Sequence, residues 1–201
     1  MSKRCSSGGR NSKKVEQHQP EIESGELVVV VADECHLLAG DASGYGWGKR
    51  SERLTVTVAN PKERQSYFGA LDAKSGEVVL SEADYANSDT TVSFLETLQK
   101  HYIGKQLWII WDNASYHRSE TVRQYLQKVN GQLPQKHRPL TLLHFAPNAP
   151  EQNPIEAVWL QGKTQIRKQA GLDCFGKVKQ FFVDTVTENT YSFDKFKWYG
   201  L

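Results

Sequence analysis

Leu27-Val28-Val29-Val30-Val31-Ala32-Asp33 and, further along, Leu107-Trp108-Ile109-Ile110-Trp111-Asp112 are the two stretches that decide the fold of this 201-residue chain. Each is a short unbroken apolar run, β-branched or aromatic in character, and each ends in an aspartate. Runs of this length without polar alternation read as strands buried on both faces, the habit of central strands in a sheet that carries helices on either side.

The elements around these two strands follow from turn and cap signals. Gly40–Gly48 is a glycine-rich loop, and Arg53–Ala59, Gln65–Leu71 and Glu77–Leu80 are strand-like, the last following the turn signal Lys74-Ser75-Gly76. Together they read as an antiparallel meander. The period then changes: Ser88 or Asp89 caps a helix with Phe94, Leu95, Leu98 and Tyr102 on one face, stopped by Gly104. Ser119 caps a second helix that ends at Asn130-Gly131, and the loop Gln132–Pro139 leads to a third apolar strand, Leu140–Phe145. A helix opens near Asn153-Pro154, and a last one covers Phe175–Glu188. Meander, then alternating helix and strand, predicts an α/β domain with a mixed sheet between helices. In open sheets of this kind ligands gather at the carboxyl ends of strands, where Asp33 and Asp112 are expected.

A single aspartate at a strand end has an ordinary use, accepting loop N–H groups. Two of them on neighbouring strands converge and repel unless a cation lies between. Hard oxygen ligands select Mg²⁺ or Mn²⁺ over zinc, and Cys35 and His36 beside Asp33 are too few for a zinc site. The third carboxylate lies in Phe145-Ala146-Pro147-Asn148-Ala149-Pro150-Glu151-Gln152-Asn153-Pro154-Ile155-Glu156-Ala157-Val158-Trp159. Pro154 suits the first turn of a helix, and Ile155, Val158, Trp159, Gly162 and Ile166 form its buried stripe. Glu156 sits beside that stripe, with Lys163 and Arg167 nearly in line with it further along. Such a face suits a site holding metal at one end and a DNA backbone along its length. Without the aspartates, a solvated face with a loose salt bridge is the better reading.

Bulk composition narrows the class. A 38% hydrophobic share and no apolar run of membrane-spanning length describe a globular protein, expected in the cytoplasm and associated with the nucleoid. Three widely spaced cysteines argue against a disulfide framework. The net charge of +2 is nearly neutral, yet residues 1–20 carry Lys3, Arg4, Arg10, Lys13 and Lys14 against Glu16 alone. Residues 1–24 are therefore expected to form a flexible basic tail, either a phosphate-contacting arm or a solvated leftover, and 25–201 the folded domain.

Three motifs in order carry a family resemblance. Val31-Ala32-Asp33-Glu34 with Gly46-Trp47, then Asp112-Asn113-Ala114-Ser115-Tyr116-His117, then the segment 147–159 containing Asn153-Pro154-Ile155-Glu156-Ala157-Val158-Trp159, resemble DDE transposases of the mariner superfamily, in its bacterial insertion-sequence branch. The resemblance implies an RNase H-like fold with sheet order 3-2-1-4-5 and a catalytic, metal-binding triad of Asp33, Asp112 and Glu156 holding two Mg²⁺ or Mn²⁺ ions. It implies DNA strand cleavage and transfer of the freed 3′ end to target DNA, typically at a TA dinucleotide, with transposon ends and target DNA as partners and a homodimer as the working form. The family's helix-turn-helix end-recognition domains do not precede the first strand here, so the chain is expected to be either a catalytic half served by a separate helix-turn-helix partner or a decayed copy. The interval from Asp112 to Glu156 is longer than in many relatives, and Gln132–Pro139 is expected to hold the extra residues.

The remaining residues have two uses each. Asn113, His117 and Asn153 either fix the carboxylates from behind or serve as turn and core residues. Lys163, Arg167, Trp47, Lys49 and Arg50 are the expected DNA contacts, with burial of the tryptophan and solvation of the cations as the alternatives. Glu34, pointing to the other side of its strand, makes a poor metal ligand. Two rival functions are another RNase H-like metal-dependent nuclease, and an inactive DNA-binding remnant of a transposase.

Overall fold

The computed structural model describes residues 13–42, 62–145, 153–194 and 196. Helix α1 (Gln19–Ser24) leads into β1 (Leu27–Leu38), then β2 (Arg64–Asp72), β3 (Val78–Ala83), α2 (Ser88–His101), β4 (Gln106–Trp111), α3 (Glu120–Asn130), β5 (Leu140–His144), α4 (Ile155–Lys168) and α5 (Phe175–Thr187). The five strands form one mixed sheet in the order β3-β2-β1-β4-β5, as expected. β1 pairs antiparallel with β2 and parallel with β4, and β4 pairs parallel with β5.

Alternation along β1 explains the two layers. Val29, Val31, Cys35 and Leu37 face the side covered by α4 and α5, where Ile155, Val158, Trp159, Phe182 and Val186 complete the packing. Val30 and Ala32 face the opposite side, with Phe68, Phe94, Leu95, Leu98, Trp111 and Val122 on or beneath α2 and α3. Large apolar side chains buried on both faces, each contributing roughly 1.5–3 kcal/mol, account for the unbroken runs that mark β1 and β4 in the sequence.

Glycine permits the closest approaches. A Cβ on Gly69 of β2 would lie 2.2 Å from Cη2 of Trp159, so the indole seats on the sheet only because no side chain stands there. Gly162 does the same between α4 and α5, where a Cβ would meet the Phe182 ring at 2.7 Å.

Several expectations need correction. β1 does not end at Asp33: it runs on to Leu38, because Asp33 to Leu38 pair with Gly69 to Arg64 of β2. What ends near Asp33 is the pairing with β4, whose last register partners are Val31 and Ile110. The cap of α2 is Asn87, whose Oδ1 accepts from the N–H groups of Asp89 and Thr90 while the Thr90 hydroxyl accepts from Asn87 N–H. Part of the expected flexible tail is folded: residues 13–16 make a helical turn before α1, and Val15 and Ile22 are buried in the core on the α4 side. The expected strand Arg53–Ala59 lies outside the described residues, as does the part of the glycine-rich loop beyond Ala42. Gln132–Pro139 is an exposed connection containing a short 3₁₀ turn, Gln135–His137. Among the described residues no helix is long and apolar enough to cross a membrane.

Candidate active site

Asp33 lies on the α4 side of β1, one pleat beyond Val31, where β4 has stopped pairing. Continuing the β1–β4 register places Asp33 opposite Asp112, which follows directly on β4. Glu156 is in the first turn of α4, exposed beside the buried stripe of Ile155, Val158, Trp159, Gly162 and Ile166. Asn153 opens that helix, its side-chain oxygen accepting from the N–H of Ile155 at 3.3 Å.

Electrostatics ties the three carboxylates together. The Asp33 carboxyl is pushed up to about 7, first by burial and then by the negative charges of Glu34, Glu156 and Asp112. Like charges within reach of one another raise the cost of ionisation, and a cation removes that cost. The donor set, all carboxylate oxygen, fits a hard divalent ion. The cage is not closed: among the described residues no three His, Cys, Asp or Glu side chains stand near enough to hold a metal ion. Cys35, beside Asp33, is a buried thiol pushed up to about 12, chiefly by burial, and is no thiolate ligand.

Asp112 is held in place from behind. Its Oδ1 accepts from Ala114 N–H at 2.9 Å, and His117 Nδ1 lies 2.9 Å from the same oxygen, an ion-pair contact without the alignment of a linear hydrogen bond. These contacts, His117 foremost, pull the Asp112 carboxyl below its ordinary range. The other ring nitrogen of His117, Nε2, is 2.9 Å from Glu34 Oε1. The His117 side chain is fully buried, and its ring packs tilted by 43° against Trp111, with centroids 3.8 Å apart. Burial opposes its charged form, but the contacts with Asp112 and Glu34 outweigh it, and its pKa lies above the ordinary value.

The expected DNA-contacting residues divide. Lys163 donates to the carbonyl of His36 at 2.7 Å and lies 3.1 Å from Asp41, while Arg167 is 3.9 Å from the same carboxylate. Asp41 also accepts from Leu38 N–H at 2.9 Å, so the end of β1 and the outer face of α4 are joined through it. Trp47, Lys49 and Arg50 lie outside the described residues. Asn113 touches neither Asp33 nor Glu156 through a described hydrogen bond; its amide donates to Phe145 O at 2.9 Å, tying the ends of β4 and β5.

Glu34, weighed in the sequence only as a poor metal ligand, and Asp41 and His144, not singled out there, also join this network. Glu34 and Asp41 find their partners far along the chain, so no local spacing marks them. His144 ends an apolar strand, and its Nδ1 lies 2.9 Å from the backbone oxygen of Asp112. A cavity of about 810 Å³ opens at the opposite end of the strands, lined by His18, Glu21, Tyr102 and Lys105, remote from the carboxylates.

Residues 28–179 match the family model described as DDE superfamily endonuclease. No curated protein matches the sequence significantly. Among solved structures, the Mos1 transposase paired-end complex with the left transposon end is similar at 16% identity and a TM-score of 0.60, covering 100% of this chain and 59% of that one. The catalytic domain of Mos1 mariner transposase is similar at 14% identity and a TM-score of 0.55, covering 100% of this chain and 88% of that one. A Mos1 mariner paired-end complex with Mn is similar at 15% identity and a TM-score of 0.60, covering 96% and 57%. This chain thus spans less than two thirds of the chains in those paired-end complexes. At these identities the likeness is one of fold: a five-stranded 3-2-1-4-5 sheet flanked by helices, the RNase H-like arrangement.

Proposed function

Because the chain belongs to the DDE superfamily endonucleases, we propose that it is the catalytic part of a cut-and-paste transposase of the mariner superfamily, bacterial insertion-sequence branch. Asp33, Asp112 and Glu156 would hold two divalent ions, Mg²⁺ or Mn²⁺. The observation that carries this reading is the register that sets Asp33 opposite Asp112 where β1 and β4 stop pairing, with the Asp33 carboxyl lifted to about 7 by burial first and then by the charges of Glu34, Glu156 and Asp112. When bound, such ions activate an attacking oxygen and neutralise charge on the leaving one.

The chain's own residues supply placement. His117 and Ala114 N–H fix the Asp112 carboxylate, Asn113 keeps the end of β4 against β5, and Asn153 starts the helix that carries Glu156. Lys163 and Arg167 continue from Glu156 along α4 as contacts for the DNA backbone, exchanging Asp41 for phosphate. Trp47, Lys49 and Arg50 complete the DNA-binding set. The partners are transposon ends and target DNA, with a homodimer as the working form.

The test is a supercoiled plasmid carrying the element's ends, incubated with the wild type or Asp112→Asn in Mg²⁺ or Mn²⁺, beside an RNA–DNA hybrid. Metal-dependent end cleavage and joining by the wild type alone supports the proposal. Cleavage of the hybrid alone makes the chain another RNase H-like nuclease, and equal activity of the two proteins removes Asp112 from the chemistry.

A further inference from the structure

A groove of about 580 Å³ lies between α3 and the edge strand β5. Lys14, Arg118, Arg123 and Arg138 line it together with His144, and among the described residues no aspartate or glutamate does. Its floor is apolar, built from Val122, Leu126, Leu140 and Leu142, and His117 also lines it. His117 and His144 are the residues whose ring nitrogens reach the Asp112 carboxylate and the Asp112 backbone oxygen. The groove therefore runs from a strip of cations to the back of a proposed metal ligand.

We propose that this groove seats the sugar–phosphate backbone of a single DNA strand next to the catalytic carboxylates. The proposal rests on the reading of the chain as a DNA-cutting enzyme. Four cations gathered along one groove are complementary to a polyanion, and the exposed Arg123–Glu120 pair at 3.6 Å is weak enough to yield to phosphate. A volume of about 580 Å³ accommodates a short segment of one strand. Lys14 is presented to the groove by the helical turn over 13–16, anchored through buried Val15, and enters as a phosphate contact. A peptide strand adding to β5 is disfavoured at Leu140, because the Asn130 side chain already pairs with both its N–H and its C=O, as a neighbouring strand would. The contacts are to phosphate, so binding is insensitive to base sequence.

The experiment compares the full chain with an Arg118→Gln, Arg123→Gln, Arg138→Gln variant, binding a fluorescent single-stranded oligonucleotide and a matching duplex across a salt series. All three side chains are exposed, and Lys128→Gln, an exposed cation of α3 outside the groove lining, serves as the charge control. Each lost phosphate contact lowers the slope of log K against log salt by about 0.7 for a single strand. The expected result is a slope shallower by about 2 for the triple variant on the single strand, with Lys128→Gln unchanged and the duplex little affected. An unchanged slope overturns the proposal, as does an equal loss on the duplex or stronger competition by an acidic peptide than by the oligonucleotide. If the slope is unchanged while Asp112-dependent cleavage persists, the groove alone is wrong; absence of both binding and cleavage in the wild type removes the functional reading beneath it.

Discussion

Asp33→Asn should stabilise the metal-free protein at pH 8 while removing its activity. The Asp33 carboxyl moves from an ordinary 3.8 to about 7 on folding, through burial first and then through Glu34, Glu156 and Asp112. At about 1.4 kcal/mol per pKa unit, ionising it in the folded chain costs up to about 4 kcal/mol. The residue keeps some solvent contact, and screening brings the expected effect to about 2 kcal/mol. The pKa is raised by folding, so its contribution to stability is fully present below about pH 4 and is lost as pH rises through about 7. Asparagine has no such loss. The stability difference between variant and wild type should be near zero at pH 4 and grow to about 2 kcal/mol at pH 8, or about 4–8 °C in Tm for a chain of this size. Urea titrations followed by the intrinsic fluorescence of the five tryptophans, with a chelator present, measure it. A difference that stays flat with pH, or an Asp33→Asn variant less stable at pH 8, refutes the picture of crowded carboxylates.

Three further outcomes follow from named contacts. Glu34→Gln removes one of the two carboxylates that favour charged His117, so the His117 pKa should fall in ¹⁵N NMR and cleavage should drop about tenfold or more; an unmoved resonance separates Glu34 from the site. Gly69→Ala drives a methyl into the Trp159 indole, where the nearest carbon is 2.2 Å away, and should cost about 1–3 kcal/mol in urea unfolding; a neutral result means the ring moves freely. Lys163→Ala and Asp41→Ala should show a coupling of about 1 kcal/mol in a double-mutant cycle, since Nζ and Oδ2 are 3.1 Å apart and both side chains are largely covered; additive effects leave no coupling between β1 and α4 through this pair.

The central strands and the helical stripe of α4 were legible because burial on both faces, or on one stripe, leaves an unambiguous apolar pattern. Ile155, Val158, Trp159, Gly162 and Ile166 are buried as the periodicity predicts. The sheet order came from the family resemblance, since periodicity does not choose which strands pair. The second half of β1 was missed because Asp33-Glu34-Cys35-His36 reads as polar, and only its antiparallel partner β2 shows it to be strand. Asn87 was hidden among three consecutive good caps, and the reciprocal bond to Thr90 distinguishes it. Helix α1 and the turn before it bury only Val15 and Ile22 in a polar context, too sparse a signal to outweigh ordering entropy on sequence alone. The placement of Asp33 and Asp112 at the ends of apolar runs is visible in the sequence, whereas the His117 bridge from Asp112 to Glu34 is a long-range contact that no spacing encodes.

The measurement that bears most directly on the central claim is anomalous scattering from crystals of the full chain soaked in Mn²⁺. The account predicts Mn²⁺ peaks bound by the carboxylates of Asp33, Asp112 and Glu156, lost in Asp33→Asn. Mn²⁺ bound elsewhere, or bound to the aspartates with Glu156 taking no part, contradicts it.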